Sequence, residues 1–106
     1  MIKEIEVKIL SSKLSTNENF ILLDVRTNQE VLISKIEGSI HIPMNDIPNK
    51  IDALDKEKEI IVQCKSGKRS AKVCEFLMKN NFTNVKNLKG GIIAWTKEID
   101  PSIIVY

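Results

Sequence analysis

Histidine occurs once and cysteine twice in this 106-residue chain, and no apolar run approaches the roughly 20 residues that a membrane-spanning helix needs. Each scarcity removes a class of function. Cys64 and Cys74 are too few and too badly spaced for a disulfide framework or a zinc site. With His41 as the one imidazole and no cluster of Cys, His, Asp and Glu, no metal and no other cofactor is expected. In a reducing cytosol both cysteines are free thiols. The opening Met-Ile-Lys-Glu-Ile-Glu carries acids where a signal peptide carries basic residues followed by a long apolar stretch, so a cytoplasmic location is expected. Repeats, low-complexity tracts and interdomain linkers are also missing, and residues 1–106 read as one domain that folds alone and stays monomeric. The net charge of +2 is spread along the chain, which argues against a nucleic-acid or membrane surface. Only Lys65 to Lys72 is locally basic, and that density surrounds a cysteine.

Residues Ile60 to Ala71 read as an apolar run, then Cys64, then Lys65-Ser66-Gly67-Lys68-Arg69-Ser70, then a helix-forming segment. Cys64 thus stands where a buried strand ends and a helix begins. Glycine lets the loop close there, and the first helical N–H groups have no intrahelical partner, so several of them can face one anionic atom. A thiolate or persulfide can be that anion. Lys65, Lys68 and Arg69 beside it are expected to lower the thiol pKa further, which makes Cys64 a candidate nucleophile.

Along the chain, apolar runs alternate with amphipathic segments, the pattern of an α/β protein with a mainly parallel sheet covered by helices on both faces. Ile2 to Glu6 reads as a short edge strand and Val7 to Ser15 as a helix with Val7, Leu10 and Leu14 on one side. Phe20 to Val25 is a strong central strand. Thr27 and Glu30 form a capping-box pattern that starts a helix near Asn28, and that helix is expected to run from Glu30 to Lys35. Ser39 to Pro43 is a short strand, Asn45 to Leu54 a helix made irregular by Pro48, and Asp55 to Glu59 a solvated charged turn. Ile60 to Gln63 is the second strong strand. Ser70 to Asn80 follows as a helix with Ala71, Cys74, Leu77 and Met78 near one face. Thr83 to Leu88 is a fifth strand, and Gly90-Gly91 turns into a last helix, Ile92 to Ile99, stopped before Pro101.

A parallel sheet carries its ligand site at the carboxyl edge of the strands, where Cys64, Asp24, Arg26 and His41 all converge. Asp24 and Arg26 read as an internal ion pair or loop anchor that supports the site. His41, between Ile40 and Ile42, reads as a half-buried strand residue, since nothing orients it as the base of a Cys-His dyad. Cys74 reads as core packing and is expected to be carried away from Cys64 along its helix. Trp95 reads as core, though its position on the last helix also lets it wall the pocket.

Four segments carry a resemblance: Leu22-Leu23-Asp24-Val25-Arg26, Gly38-Ser39-Ile40-His41-Ile42-Pro43, Ile61 to Ala71, and Leu88-Lys89-Gly90-Gly91-Ile92-Ile93-Ala94-Trp95. In this order, over nearly the whole chain, they resemble the rhodanese domain. The resemblance implies a five-stranded parallel sheet with helices on both sides, a cysteine that cycles between thiolate and persulfide, and transfer of sulfane sulfur. The tail, with Glu98-Ile99-Asp100-Pro101-Ser102 and Tyr106, is similar to the rhodanese domain at the C-terminus of ubiquitin-activating-like adenylyltransferases. The sequence departs from the family after Glu30, where Val31 and Ser34-Lys35-Ile36 replace an aromatic residue and Gly-His-Ile.

These readings give a specific expectation. Cys64 is the catalytic nucleophile; Lys65, Ser66, Gly67, Lys68, Arg69 and Ser70 bind the donor through backbone N–H groups and positive charge. Arg69 is expected to turn inward to an acid such as Asp24 and brace the loop. The donor is a small anion such as thiosulfate or a persulfidated protein, and an adenylyltransferase or a cysteine desulfurase is the expected protein partner. One alternative is a sulfur carrier with little free turnover. Another is a cysteine-dependent phosphatase or arsenate reductase, disfavoured because four residues rather than five separate Cys64 from Arg69.

Overall fold

The computed structural model describes residues 2–105; Met1 and Tyr106, the last residue of the tail pattern, lie outside them. Five strands form one sheet: β1 (Lys3–Ile5), β2 (Phe20–Asp24), β3 (Ile40–His41), β4 (Glu59–Gln63) and β5 (Val85–Leu88). Their spatial order is β1-β5-β4-β2-β3 and every neighbouring pair is parallel. β4 is the central strand, flanked by β2 and β5, and the order of connection reverses around it. The carboxyl end of β4 is therefore the switch point at which such sheets bind ligands.

Helices cover both faces: α1 (Val7–Ser15), α2 (Asn28–Ile33), α3 (Ile47–Lys50), α4 (Lys68–Lys79) and α5 (Gly91–Glu98). Side chains on a strand alternate between faces, and β4 feeds both cores. Ile60, Val62 and Cys64 join Val73, Cys74 and Leu77 of α4 in one apolar cluster, with Ile47 of α3. Ile61 joins Leu10 of α1 and Ile92 and Trp95 of α5 in the other. A strand buried on both sides has to be apolar throughout, which is why Ile60 to Val62 shows no polar alternation.

Besides β3 and β5, which are shorter than the expected Ser39 to Pro43 and Thr83 to Leu88, four segments differ from the sequence-based expectation. The second helix spans Asn28–Ile33 instead of reaching Lys35. Its N-terminus carries the capping box, Thr27 Oγ1 accepting the Glu30 N–H at 3.2 Å and Glu30 Oε1 accepting the Thr27 N–H at 3.0 Å. Its C-terminus is set by tertiary contacts: Arg26 Nη2 donates to the Ser34 carbonyl at 2.8 Å, the Ser34 hydroxyl donates to the Ile104 carbonyl, and the chain turns out to bury Ile36. Asn45 to Leu54 breaks into 3-10 turns at Met44–Asp46 and Ile51–Ala53 around the four-residue α3, with Pro48 in its first turn where no N–H is needed. Glu59 is part of β4 and not of a solvated turn, its carboxylate bonded to Lys13 at 2.8 Å and to Lys86. Finally, α4 begins at Lys68, two residues early, so that Lys68 and Arg69 belong to its first turn. Its buried face is Ser70, Val73, Cys74 and Leu77, while Ala71 is partly exposed and Met78 exposed.

Candidate active site

Cys64 leaves β4 with its side chain on the α4 face, and the residue is 1% exposed. The chain then wraps around the sulfur. Gly67 N–H donates to Sγ at 3.0 Å and Ser70 N–H at 3.4 Å, with the Ser70 hydroxyl 3.3 Å away. Burial pushes the thiol pKa up, but the Ser70 hydroxyl and the backbone N–H groups of Ser70, Gly67 and Ser66 outweigh it, and the net shift is downward. The lowering thus comes chiefly from hydrogen-bond donors of the loop, the expected N–H groups among them, and the neighbouring cations that were expected to add to it do not lead it. Among these donors the backbone N–H groups need no reorganisation when charge appears on sulfur.

Two glycines make this geometry possible. Gly67, the N-cap of α4, has φ +103°, which turns its N–H towards the sulfur; there is ordinary room for a side chain, the nearest atom to a Cβ being 3.6 Å away. Gly91 has φ +60° and no room at all. A Cβ there would lie 2.4 Å from the Lys65 carbonyl oxygen and 2.6 Å from that of Cys64. The close approach lets the free N–H groups at the start of α5 take both carbonyls, Ile92 N–H donating to Cys64 O at 2.9 Å and Ile93 N–H to Lys65 O at 3.1 Å. Gln63 Nε2 adds a third bond, to Cys64 O at 3.0 Å. The loop's carbonyls are tied down on the α5 side while its N–H groups converge on the sulfur.

The charged residues sort differently from expectation. Arg69 does not turn to Asp24; it makes a bidentate pair with Glu30, Nη1 to Oε1 at 2.7 Å and Nη2 to Oε2 at 2.9 Å. Asp24 is already engaged, because its carboxylate receives the Arg26 guanidinium at 2.8 Å and the Arg26 N–H at 3.0 Å, with both residues at most 1% exposed. The Glu30–Arg69 pair straps α2 to the first turn of α4. Among the described residues neither Lys65 nor Lys68 is in an ion pair; Lys68 is exposed and Lys65 partly so. His41 stands at the same sheet edge but its Nε2 bonds the Arg26 carbonyl at 2.7 Å. Trp95 lies in the opposite core, with Leu10 and Ile36. Cys74 is not carried away from Cys64: both are in the α4-side core, and burial, with the charge of Cys64 second, pushes the Cys74 thiol up to about 12.

The strap gives a pH prediction. The paired Arg69 holds the Glu30 carboxyl down at about 2, against 4.5 ordinarily. A folded-state pKa below the unfolded one stabilises above the unfolded value and is lost as pH falls. Glu30→Gln keeps a capping-box residue and loses the ion pair, so wild type should exceed it by about 1–2 kcal/mol at pH 7. That difference should shrink between pH 4.5 and about 2 in urea unfolding. A gap independent of pH would mean that the strap acts by packing alone.

Asn87 of β5 was not singled out from the sequence. It is 3% exposed, accepts the Ser70 hydroxyl at Oδ1 at 2.5 Å and donates from Nδ2 to the Gly67 carbonyl at 3.0 Å. The signal was the alternation Val85, Asn87, which puts an amide on the buried α4 face of a short strand.

Comparison with known proteins follows the same lines. Residues 6–98 match the model of the family described as Rhodanese-like domain. The chain is 43% identical over 100 residues, covering 94% of itself and 96% of its relative, to a Bacillus subtilis protein named putative sulfurtransferase YtwF. It is 37% identical over 101 residues to the Debaryomyces hansenii protein named adenylyltransferase and sulfurtransferase UBA4, covering 87% of itself but only 22% of that protein. Among solved structures, a rhodanese-like domain protein from Staphylococcus aureus superposes with a TM-score of 0.86 at 31% identity over 99% of each chain.

Proposed function

The chain belongs to the rhodanese-like family, and from this premise we propose that it is a sulfurtransferase whose covalent sulfur carrier is Cys64. The observation that carries the proposal is the convergence of the Gly67 and Ser70 N–H groups on Sγ. In the first half-reaction the Cys64 thiolate attacks the outer sulfur of a donor such as thiosulfate. An S–S bond forms, the donor's S–S bond breaks, and sulfite leaves with its electron pair. In the second, a nucleophile attacks the outer sulfur of the persulfide, and Cys64 thiolate is the leaving group. Two easier displacements replace one.

Sulfur suits this loop better than phosphate. The arginine that would clamp a tetrahedral oxyanion is held by Glu30, and the carboxylates at this edge, Asp24 and Glu30, are each bound to an arginine instead of free to protonate a leaving group. Lys65 and Lys68 supply attraction for an anionic donor. Two free thiols suit a reducing compartment, and the cytoplasm is the location we propose. Among the described residues no helix is long and apolar enough to cross a membrane.

Treatment with thiosulfate followed by peptide mass spectrometry should find one added sulfur on the peptide carrying Cys64 and none on that carrying Cys74, removable by cyanide as thiocyanate. Aryl phosphate turnover that depends on Cys64, with no sulfur uptake, would reverse the assignment. The kinship with a domain of an adenylyltransferase favours a second reading, a relay that takes sulfur from a partner such as a cysteine desulfurase and gives it to an adenylyltransferase-activated acceptor. Poor cyanide turnover together with stable association with such a partner is the outcome that selects it.

A further inference from the structure

Ser70 has one hydroxyl proton and two partners for it. Ser70 Oγ lies 2.5 Å from Asn87 Oδ1 and 3.3 Å from Cys64 Sγ. The orientation of the Asn87 amide is not open, because its other end faces the Gly67 carbonyl at 3.0 Å. A carbonyl only accepts, so Nδ2 must point there and Oδ1 must point at Ser70. The single Ser70 hydroxyl proton therefore lies on Asn87, and in the neutral enzyme the Cys64 S–H donates to Ser70 Oγ.

We propose that Asn87 is a positioning residue that keeps the Ser70 hydroxyl proton turned away from Cys64, yielding it only when Sγ carries a full negative charge. When Cys64 ionises, its proton leaves to solvent. The Ser70 O–H then rotates to the thiolate, and the buried Asn87 Oδ1 loses its donor. No proton passes through Asn87, since an amide is not basic. When Sγ is bonded to a second sulfur, its charge has moved outward and the Ser70 proton returns to Asn87. Asn87 thus opposes the bare thiolate relative to both the thiol and the persulfide, which favours keeping a sulfur over releasing it. Its bond to the Gly67 carbonyl simultaneously holds the N–H that faces Sγ.

The consequence is counter-intuitive, because the two partners of one hydrogen bond should have opposite effects. Ser70→Ala removes a donor to the thiolate and should raise the Cys64 pKa. Asn87→Ala frees that donor and should lower it, by about one unit for one neutral hydrogen bond. In a Ser70→Ala background Asn87→Ala should produce no lowering, which a double-mutant cycle reads directly. The charged and titratable groups on the surrounding elements are Lys65 on the loop, Lys68, Arg69, Lys72, Cys74, Glu75 and Lys79 on α4, Glu30 on α2, Asp24 and Arg26 at the end of β2, His41 on β3, Glu59 on β4 and Lys86 on β5. Neither substitution adds or removes a charge among them.

The measurement is the pH dependence of the rate of Cys64 alkylation by iodoacetamide, with Cys74→Ala as the common background. Asn87→Val, a strand-favouring replacement, repeats the test should Asn87→Ala unfold. A lowered pKa in the presence of Ser70 and none in its absence supports the proposal. A raised pKa in both backgrounds, the signature of a loop that has merely loosened, overturns it. The inference rests on Cys64 being the sulfur-carrying thiol, but its readout needs no sulfur donor, so a failed pKa cycle and a failed thiosulfate experiment are distinguishable.

Discussion

Cys64→Ser should lower thiosulfate-dependent thiocyanate formation by ~10³-fold or more with little change in fold. A serine hydroxyl is smaller than the thiol and accepts the same N–H groups of Gly67 and Ser70, so the loop keeps its shape. What disappears is the chemistry: an alcohol does not ionise near neutral pH and forms no S–S bond, so neither half-reaction has a carrier. The natural control is Cys74→Ala. Its thiol shares the apolar cluster but is pushed up to about 12 and stays protonated at neutral pH. That substitution should cost about 1 kcal/mol of stability and change transfer by no more than about twofold. Steady-state kinetics with circular dichroism as the folding check decides between the two thiols. Equal losses in both variants would remove Cys64 from its assigned role.

Those two cysteines also show what was legible in the sequence. A cysteine followed by a polar, glycine-containing turn stands out against apolar Ile60 to Val62, and the strand-to-helix transition that exposes it is a local property. The boundaries of α1 were legible at both ends for the same reason, since Val7, Leu10 and Leu14 set the period and Thr16 to Asn19 stop it. The ends of α2 and α4 depend on distant atoms. The end of α2 is drawn out by Arg26 and Ile104, and the start of α4 is fixed by Gly67 bending round the sulfur. Partner choice among charges was likewise hidden: Asp24 was the acid named for Arg69 and Glu30 was read only as a cap, and the burial of the Asp24–Arg26 pair leaves Glu30 for Arg69. Asn87 is the clearest omission, because its role exists only where β5 passes beside the loop.

The Gly90-Gly91 pair was read as a turn, and the structure turns it into the severest single-residue test of the site. Gly91→Ala should be destabilising by roughly 3–5 kcal/mol, because it combines a positive φ with two contacts no Cβ tolerates. The obstructing atoms, at 2.4 and 2.6 Å, are backbone carbonyl oxygens of Lys65 and Cys64, and they cannot swing aside as a side chain would. Relief requires either α5 or the cysteine loop to retreat. Retreat breaks the bonds from Ile92 and Ile93 that hold those carbonyls, and with them the orientation of the Ser66 N–H, which shares a peptide with the Lys65 carbonyl, and the path of the loop that carries the Gly67 N–H to the sulfur. Transfer by whatever fraction folds should therefore fall ~10²-fold, and the Cys64 pKa should rise as its donors move off. Gly38→Ala separates the contributions. Gly38 has a comparable φ of +89° but only Leu14 Cδ2 nearby, at 3.9 Å, so it carries the backbone strain without the collision. It should cost about 1–2 kcal/mol and leave the thiol pKa where it was. Urea midpoints and alkylation profiles of the two variants, measured side by side, test whether the loop is shaped by contact with α5. Equal costs and an unmoved thiol in Gly91→Ala would mean that the cradle holds its form without that contact.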